Sequence, residues 1–586
     1  MSMAKVKNKP SRNGFDLSCK NAFTAKVGEL LPVMCKEVLP GDKFKIRADW
    51  FTRTQPLNTS AFTRMREYYD FFFVPTRLLW RHWDSFVSQM SIDNSASEDS
   101  FDGVLYNAIS SPSFTSAQLA SYYQYLFDNE LRDNDLGFDR IAATAKLLSY
   151  LDYGDSIVVD SDGTPVIDSV DTDGYVKNDY LDFHYNVFPL AAYQKIYADY
   201  YRFDQWEKTN PSYWNFDFIN PMGDSVLDIY INNYKNQAEN GSTLFDLRYA
   251  NWNKDLFHGV LPSAQFGDVA SLDVLNFNDD NNAVFTLRNV SAFNGGVSQR
   301  NEFSFNRNIQ SGNSTSNNFE FNILALRQAE FLQRWKEVAN FGKQNYKDQI
   351  EQHWNVKVPN VRSSRCEFIA GLQSNLNVSE VVNTNLADNN NPTIGGKSVG
   401  VGNGFIEFDN NQHGNEYGYL MCIYHCIPIL DYNADGTSPL NFKTEPTDYA
   451  IPELDRTGMQ LVPPEWLSNN QKVYEYEHGS PIHQGEDYLG YAPRYIDYKT
   501  DVDRIHGSFN YSLKHWVAPL TTDLLKRQFQ SQQLIWDYTS MKVDPRVMDS
   551  VFAVNANDYI DTDQLLCNVS FDCKAVRNLD VNGLPY

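Results

Sequence analysis

Regular alternation of apolar and charged residues predicts β-strands near the N-terminus. The segment 43–54 alternates with a period of two, which is typical of a strand buried on one face. Its first apolar positions are Phe44, Ile46, Ala48 and Trp50. A preceding strand is predicted at 29–38, and Pro40-Gly41-Asp42 supplies the turn between the two. The first part of the chain is therefore expected to form antiparallel β-structure.

A third strand is predicted at 66–74, within the sequence RMREYYDFFFVPTRLLW. Aromatic residues occupy both of its faces, so both sides of this strand are largely apolar. The candidate core or subunit-interface aromatics are Tyr68, Tyr69, Phe71, Phe72 and Phe73. We expect one face to lie in the core, and an inserted segment or a neighbouring subunit to cover the other. Asp70 then needs a specific partner, because a buried carboxylate is tolerated only when it is paired or hydrogen-bonded.

Helical spacing replaces the alternation in two places. After Pro75 the apolar residues recur at helical intervals, and the segment 321–342 is an amphipathic helix that Gly342 can stop. A further strand is predicted at 418–430, and a short hairpin is predicted around Asp162-Gly163. The pattern is thus mainly β, with a few helices.

The chain has 586 residues, which is longer than one hydrophobic core usually grows, so we expect several domains or one scaffold with large insertions. With 42% hydrophobic and 14% aromatic residues, its composition excludes disorder over the whole length. The predicted segments are 1–20, a basic N-terminal arm; 21–90, the first strands and a helix; 91–182, an acidic surface insertion outside the main core; 183–320, further strands and long loops; 321–342, the long helix; and 343–586, the remaining strands, loops and C-terminal tail.

Charge is distributed unevenly along the chain, whose net charge is −24. Residues 1–53 hold 11 Lys and Arg against 5 Asp and Glu, a net +6, whereas residues 91–182 hold 18 acids against 4 bases, a net −14. One part of the chain can therefore face a polyanion while another faces away from it. The candidate nucleic-acid contacts are Lys5, Lys7, Lys9 and Arg12. The alternative is a basic leader and an acidic solvated insert that have no partner.

Motifs that are typical of catalytic or ligand-binding sites are matched only incompletely in this chain. IGGKS, residues 394–398, resembles a phosphate-binding loop, but Asn391 stands where that loop requires Gly. The segments 160–163 and 171–174 resemble pieces of calcium loops, yet both lack the acidic first and twelfth ligands. Tight turns are the favoured interpretation of these two segments.

The remaining candidates for chemistry are equally unspecific. On a strand, Cys422 and Cys426 share one face while His425 points to the other, so core thiols are favoured over a metal site. The Ser of GDSVL, residues 223–227, lacks the context of a nucleophile elbow. We therefore predict no catalytic, cofactor or metal site, and a protein that is not an enzyme.

Cysteine usage and the N-terminus bear on where the chain works. The seven Cys are odd in number and widely scattered, which favours reduced core thiols over a disulfide framework. No run of about 18 apolar residues occurs, and the basic N-terminus lacks the apolar region of a signal peptide. We expect neither membrane insertion nor a secretion signal.

Four segments, in order along the chain, resemble the major capsid proteins of microviruses, and more narrowly those of the gokushovirus-like group. They begin with FTAKVGELLPVMCKEVLPGDKFKI and the aromatic stretch that follows it. The other three are WNKDLFHGVLPSAQFGDVA, LRQAEFLQRWKEVANFGKQNYKDQIEQHWNVKVPNVRSSRCEFIAGLQ and LGYAPRYIDYKTDVDRIHGSF. The acidic stretch 91–182 has no counterpart that we can match in that family.

This resemblance implies an eight-stranded antiparallel jelly roll with long inserted loops, copied sixty times into a T=1 icosahedral shell around circular single-stranded DNA. It also implies a minor pilot protein and an internal scaffolding protein as partners, assembly in the host cytoplasm, and a place in the virion. The basic arm would lie inside and neutralise phosphates. Surface loops would meet an unknown host receptor; 91–182 is favoured by composition, with 183–300 as the alternative.

A protein that binds or degrades carbohydrate is the competing class. Such a protein would also be acidic and rich in Tyr, Trp and Asn. It would normally carry a signal peptide or a lipid anchor, and we identify neither. Sedimentation distinguishes the two, because a capsid protein forms a particle of megadalton mass.

Overall fold

The computed structural model describes strands and helices along most of the chain. The described residues are 11–58, 62–88, 111–133, 135–154, 157–159, 165–167, 184–217, 234–235, 237–239, 241–265, 285–287, 303–305, 323–341, 346–357, 364–381, 395–433, 436–456, 458–468, 489–520, 536–557 and 562–581. The described strands are β1 (Asn13–Asp16), β2 (Cys19–Ala25), β3 (Leu31–Val38), β4 (Lys43–Thr54), β5 (Met65–Pro75), β6 (Ser113–Thr115), β7 (Ile157–Val159), β8 (Pro165–Ile167), β9 (His184–Asn186), β10 (Phe285–Leu287), β11 (Phe303–Phe305), β12 (Glu367–Val381), β13 (Gly395–Asp409), β14 (Gly418–Pro428), β15 (Asp431–Tyr432), β16 (Met459–Val462), β17 (Gly490–Pro493), β18 (Pro519–Leu520) and β19 (Leu565–Arg577).

Helices are fewer and lie mainly between β5 and β12. They are α1 (Trp83–Ser88), α2 (Ser116–Asp128), α3 (Arg140–Tyr150), α4 (Phe188–Ile196), α5 (Ile323–Phe341) and α6 (Tyr346–Trp354). A π-helical turn, Tyr197–Tyr201, directly continues α4. No described helix is both long and apolar enough to cross a membrane.

The long strands form one antiparallel sheet that curls into two facing halves. The order is β1-β19-β4-β13-β12-β5-β14-β3, with β2 also paired to β19. Strands β12 and β13 join the halves: β12 pairs with β5 over its first part and with β13 over its last five residues. Trp50 of β4 meets Tyr69 of β5 at 4.8 Å between ring centroids, and Phe73 of β5 meets Phe408 of β13 at 5.0 Å. The core therefore lies between the two halves.

This mainly β, antiparallel architecture is compatible with the predicted jelly roll. One half contains β2, β19, β4 and β13, and the other contains β12, β5, β14 and β3. The sheet has nine strands instead of the eight expected. The extra strand arises because β1 and β2 share β19: β2 pairs with Leu565–Phe571 and β1 pairs with Lys574–Arg577. Between them the backbone N–H of Ser18 donates to Oδ1 of Asp16, forming a local turn that interrupts the pairing.

The strands and helix with the clearest periodicity are confirmed. The predicted strands 29–38, 43–54 and 66–74 correspond to β3, β4 and β5. The predicted helix 321–342 is α5, and the predicted strand 418–430 is β14. The hairpin around residue 162 is also found, because β7 and β8 pair with each other. Two short pieces, a 3-10 turn at Thr76–Leu78 and α1, occupy the helical pattern after Pro75.

The expectation that 91–182 lies wholly outside the main core is wrong for residues 113–153. Strand β6 and helices α2 and α3 lie there, and their apolar side chains join the same buried cluster as the sheet. These side chains include Phe114, Tyr122, Leu126, Leu147 and Leu148. A capping box at Thr115 and Gln118 starts α2, and Asp139 caps α3. The acidic composition hides this packing because the acids lie between the helices and at their ends.

Candidate assembly and nucleic-acid surfaces

The aromatic stretch of β5 is covered on both faces by the same chain. On the core face, Tyr69, Phe71 and Phe73 are fully buried. On the opposite face, Phe72 is also buried and lies 4.9 Å from Tyr200, between ring centroids. Tyr68, partly buried on that second face, stacks on His425 at 4.8 Å. Four of these aromatics are therefore core residues in the single chain, and Tyr68 packs against that core. The inserted segment of α4 and its π-helical turn covers the second face.

Asp70 has the specific partner that its burial requires. The hydroxyl of Tyr201 donates to its Oδ2 at 2.9 Å. Burial raises the pKa of Asp70 to about 6, against the opposing effect of this hydrogen bond. Burial also lowers the pKa of His425, 4.0 Å from the same carboxylate, to about 3, so this ring is neutral and forms no ion pair there. Arg64, which is close to Asp70 in sequence, forms an ion pair with Asp503 instead.

A second buried acid links the two halves of the sheet. Glu67 of β5 accepts hydrogen bonds from Trp50 Nε1 at 2.9 Å and from Thr52 Oγ1 at 2.6 Å, both on β4. Ser374 of β12 donates to the same carboxylate at 2.5 Å. Burial raises the pKa of Glu67. Sequence reasoning missed this site, although a Glu in a strand that is apolar on both faces was a usable signal.

Buried ion pairs hold α3 against the first strands. Lys146 Nζ lies 2.6 Å from Glu29 and 2.8 Å from Asp563, and Lys26 lies 3.1 Å from the same Asp563. Burial alone would raise the pKa of Asp563, but Lys146 and Lys26 hold it below its usual value. The guanidinium of Arg140 donates two hydrogen bonds, of 2.8 and 2.7 Å, to the carboxylate of Asp246. Arg140 and Lys146 are two of the four bases in the acidic stretch, and their position among so many acids was the sequence signal for such pairs.

The structure does not bring the four predicted nucleic-acid contacts together. Lys5, Lys7 and Lys9 lie outside the described residues. Arg12 is half-buried and donates from Nη2 to the backbone carbonyl of Gly41 at 3.1 Å. This hydrogen bond connects the residue that precedes β1 to the turn between β3 and β4. The lysines of the arm therefore stay a prediction.

One face of the sheet is exposed and carries both charges and apolar residues. This outer face comprises Lys43, Lys45, Arg47, Phe51, Arg53, Val401, Phe405 and Leu566, which are direct neighbours across β4, β13 and β19. Lys45 pairs with Glu407 at 3.0 Å while both side chains are largely exposed. Val401 is 68% exposed and Phe405 is 59% exposed. Such a mixed face suits a contact with another molecule more than contact with water alone.

Helix α5 exposes the apolar side of its predicted stripe. Phe331 is 63% exposed and Trp335 is 42% exposed, although Trp335 stacks on His353 of α6 at 5.9 Å. Ala339, about one turn beyond Trp335, is buried. The described part of the chain therefore covers only one end of this stripe.

The cysteines and the incomplete binding motifs noted in the sequence form no site in the residues that the structure describes. Cys422 and Cys426 are buried, and all seven cysteines are free thiols, as expected. Residues 395–398 of IGGKS lie in β13 and pair with β12, so they form a strand and not a phosphate-binding loop. The segments 160–163, 171–174 and 223–227 lie outside the described residues. Among the residues that are described, no group of three or more His, Cys, Asp and Glu could hold a metal ion.

Comparison with known proteins identifies the family. A family model described as "Capsid protein (F protein)" matches residues 4–127 and 159–586. Capsid protein VP1 of Chlamydia phage 1 is 21% identical over 98% of this chain and 95% of its own length. Capsid protein VP1 of Bdellovibrio phage phiMH2K is 22% identical over 85% of this chain and 82% of its own length.

The family match also corrects one expectation. The whole of 91–182 was expected to lack a counterpart, but only residues 128–158 fall outside the match. This interval contains α3, which the buried pairs of Lys146 hold to the core. The chain belongs to the phage capsid protein (F protein) family and is a structural capsid protein of the virion, which self-assembles into a shell and is not an enzyme.

Proposed function

We propose that sixty copies of this chain form a T=1 icosahedral shell around circular single-stranded DNA. The observation that carries the proposal is that the described residues leave part of the apolar stripe of α5 uncovered, with Phe331 and Trp335 exposed. Apolar patches of this kind mark contacts between proteins, and a closed symmetric shell covers them on every copy. The copy number and the type of genome rest on the resemblance to microviruses.

The mass and symmetry of the assembled particles test the proposed sixty-copy shell. Sixty copies of a 67.3 kDa chain amount to about 4 MDa of protein. We expect the expressed chain, with its phage partners, to sediment as uniform particles of this mass and to show icosahedral symmetry by electron cryomicroscopy. A monomer or small oligomer under the same conditions would contradict the proposal.

We propose further that the basic arm faces the genome. Lys5, Lys7 and Lys9 precede β1, and Arg12 anchors the end of the arm to the turn at Gly41. Lysines that neutralise phosphates release counterions, so binding of single-stranded DNA weakens as salt rises, with a slope of about 0.7 per phosphate neutralised. The acidic stretch, by the same reasoning, lies away from the DNA.

Replacing Lys5, Lys7 and Lys9 by Gln tests this role without disturbing Arg12. We expect the salt dependence of binding to single-stranded DNA to lose about two units of slope, and the DNA content of particles to fall. The control replaces three exposed lysines elsewhere, Lys208, Lys499 and Lys514, by Gln, which changes the net charge equally. Equal slopes and equal DNA content in the two variants would contradict an arm that binds DNA.

Host attachment by surface loops, a minor pilot protein, an internal scaffolding protein and assembly in the host cytoplasm complete the proposal. They rest on the same resemblance. Co-purification of particles from infected cells, followed by mass spectrometry of the minor components, tests the two protein partners. Particles that contain this chain alone and still infect would contradict them.

A further inference from the structure

A lysine and two carboxylates are buried together beside α3. The side chains of Lys146, Glu29 and Asp563 are each 3% exposed or less. Lys146 Nζ lies 2.6 Å from Oε2 of Glu29, and 2.9 and 2.8 Å from the two carboxylate oxygens of Asp563. The three residues come from α3, from the segment before β3 and from the segment before β19, so only the folded chain brings them together.

The amine of Lys146 is close to the carbon atom that it could attack. Because Nζ is nearly equidistant from both oxygens of Asp563, its distance to Cγ, which is bonded to both, is roughly 3 Å, a separation typical of reacting atoms positioned for attack. Lys26 Nζ lies 3.1 Å from Oδ1, and the hydroxyl of Thr24 donates to Oδ2 at 2.6 Å. Each oxygen of the carboxylate therefore has its own donor besides Lys146.

Burial distinguishes this cluster from a second one of similar composition. Lys574 also lies close to two acids, Asp16 at 2.6 Å and Asp572 at 3.1 Å, but all three of these side chains are more than half exposed. Water stabilises the separate charges of the exposed cluster. In the buried cluster, keeping an ammonium and two carboxylates away from water costs free energy, and forming a neutral amide would remove one charge of each sign.

The buried cluster also borders a small cavity. The volume of this cavity is about 20 Å³, and its lining includes Glu29 and Lys146 together with the apolar side chains of Phe138 and Leu247. A volume of about 10–15 Å³ is enough to hold one water molecule. A water molecule released beside Lys146 would therefore have room to leave the reacting groups.

We propose that Lys146 and Asp563 condense to an isopeptide bond, a covalent cross-link between α3 and the segment before β19. Lys146 first gives one proton of its ammonium group to Asp563, so the pair becomes a neutral amine and a neutral acid. Burial favours this transfer because it disfavours the charged form of both groups, whereas the attraction between their charges opposes it. Loss of water then makes the neutral state permanent.

The groups already in contact can carry out the condensation. Nζ attacks Cγ, a C–N bond forms, and the negative charge that develops on Oδ1 faces the ammonium of Lys26. Glu29 takes a second proton from Nζ and returns it to the hydroxyl oxygen Oδ2, whose bond to Cγ breaks as water leaves. The third proton stays on the amide nitrogen, so atoms and charges balance, and Glu29 ends as the carboxylate that it was at the start. The reaction consumes its own residues and takes place once per chain.

The cross-link would join residues that are 417 positions apart in sequence. A cross-link over a long loop restricts the unfolded chain, as a disulfide does, but reductants do not break an amide. Lys26 and Glu29 would remain as one charge of each sign, so the cluster would stay neutral. The inference goes beyond the proposed shell and does not depend on it.

Mass spectrometry of the full-length chain, taken from assembled particles and from unassembled subunits, tests the bond. We expect an intact mass lower by one water molecule than that of the unlinked chain, and a branched tryptic peptide in which Lys146 is joined to Asp563. The exposed cluster of Lys574 in the same sample is the internal control and should yield no branched peptide. A wild-type chain without the branched peptide would overturn the proposal, whatever the variants show.

Two variants assign the roles of the residues. Glu29→Gln keeps both reacting groups and an acceptor for the backbone N–H of Lys26 but removes the proton carrier, so the rate of linking in freshly synthesised chain should fall by about a hundredfold. Asp563→Asn should still link, with loss of ammonia instead of water. Equal rates in Glu29→Gln and wild type would overturn the role of Glu29, and a branch at Lys26 would overturn the choice of Lys146 as the nucleophile.

The outcomes separate this inference from the proposed shell. Normal particles whose chains lack the branched peptide would overturn the cross-link and leave the shell standing. Linked chains that never form particles would keep the cross-link and contradict the shell.

Discussion

Tyr201 donates a hydrogen bond of 2.9 Å to Asp70 and thereby joins the π-helical turn after α4 to the centre of β5. The two residues are 131 positions apart in sequence. The contact places the inserted segment over the second apolar face of β5, which a one-sided sheet would leave exposed. Burial of Asp70 makes the stability of the subunit depend on pH, and the hydrogen bond from Tyr201 opposes that effect.

Asp70→Asn should stabilise the subunit at neutral pH. Because burial raises the folded-state pKa of Asp70 to about 6 from 3.8, its contribution to stability is fully present below pH 4 and is lost as the pH rises through 6. We expect the variant to raise the free energy of unfolding by up to about 3 kcal/mol at pH 7.5 and to leave it unchanged at pH 3.5. Urea unfolding of the unassembled subunit at both pH values measures this; an equal change at both would rule out titration of Asp70 as the cause.

Lys146→Met should strongly destabilise the fold. The substitution leaves Glu29 and Asp563 buried without the cation that bridges them, and breaking a buried pair in this way costs about 3–5 kcal/mol. The measurement is the free energy of unfolding in urea. Lys574→Met, which removes an exposed lysine paired with Asp16, is the control and should change stability little, because water screens that pair. Equal losses in the two variants would contradict the role assigned to burial.

Phe331→Asp should block assembly without unfolding the subunit. Phe331 is exposed on α5, so a charge there is hydrated in the single chain but would be buried at a subunit contact. We expect the melting temperature of the unassembled chain to stay within a few degrees of the wild type while the particle peak disappears from a sedimentation profile. Glu330→Lys, at the adjacent exposed position, is the control and should assemble. Normal particles from Phe331→Asp would exclude this stripe as a contact.

Cysteine labelling should distinguish one thiol from the other six. Cys19 and Cys35 are both partly exposed and the other five cysteines are buried, but burial raises the pKa of Cys35 to about 12 and that of Cys573 to about 11. The thiolate is the reactive form, so we expect N-ethylmaleimide to label Cys19 alone in the native, unassembled subunit and all seven thiols in denaturant. Mass spectrometry of the labelled peptides provides the count, and fewer than seven in denaturant would reveal a disulfide.

Gly402→Ala should disturb the core between β4 and β13. A Cβ at Gly402 would lie 2.2 Å from the ring of Trp50, which is buried and hydrogen-bonded to Glu67. Overpacking of this kind costs about 1–3 kcal/mol, measured as a fall in the free energy of unfolding. Gly14→Ala is the control, because a Cβ there meets nothing within 4 Å. A neutral Gly402→Ala would show that Trp50 can move aside.

Part of the fold could be predicted because it depends on local pattern. The alternation in β4 determines which side chains face the core, since successive residues of a strand point to opposite faces whichever strand is its neighbour. Helix α5 could be predicted in the same way, because its apolar residues recur at helical spacing. The family could also be identified from sequence, because its segments lie in order along the chain.

The cover of β5 and the place of α3 could not be predicted. Acid-rich composition indicated an exposed insertion, yet α3 is buried because Lys146 reaches Glu29 and Asp563, which are 117 and 417 positions away in sequence.

The sequence by itself determined the strands and the helix, the apolar faces that must be covered, and the family of the protein. Only the tertiary structure decided what covers those faces: Tyr200 and Tyr201 lie over β5, whereas the described chain leaves Phe331 on α5 in water. The physical reason is that periodicity is a property of neighbouring residues. Contacts such as Tyr201 with Asp70 depend on how the whole chain closes, and no local pattern encodes that closure.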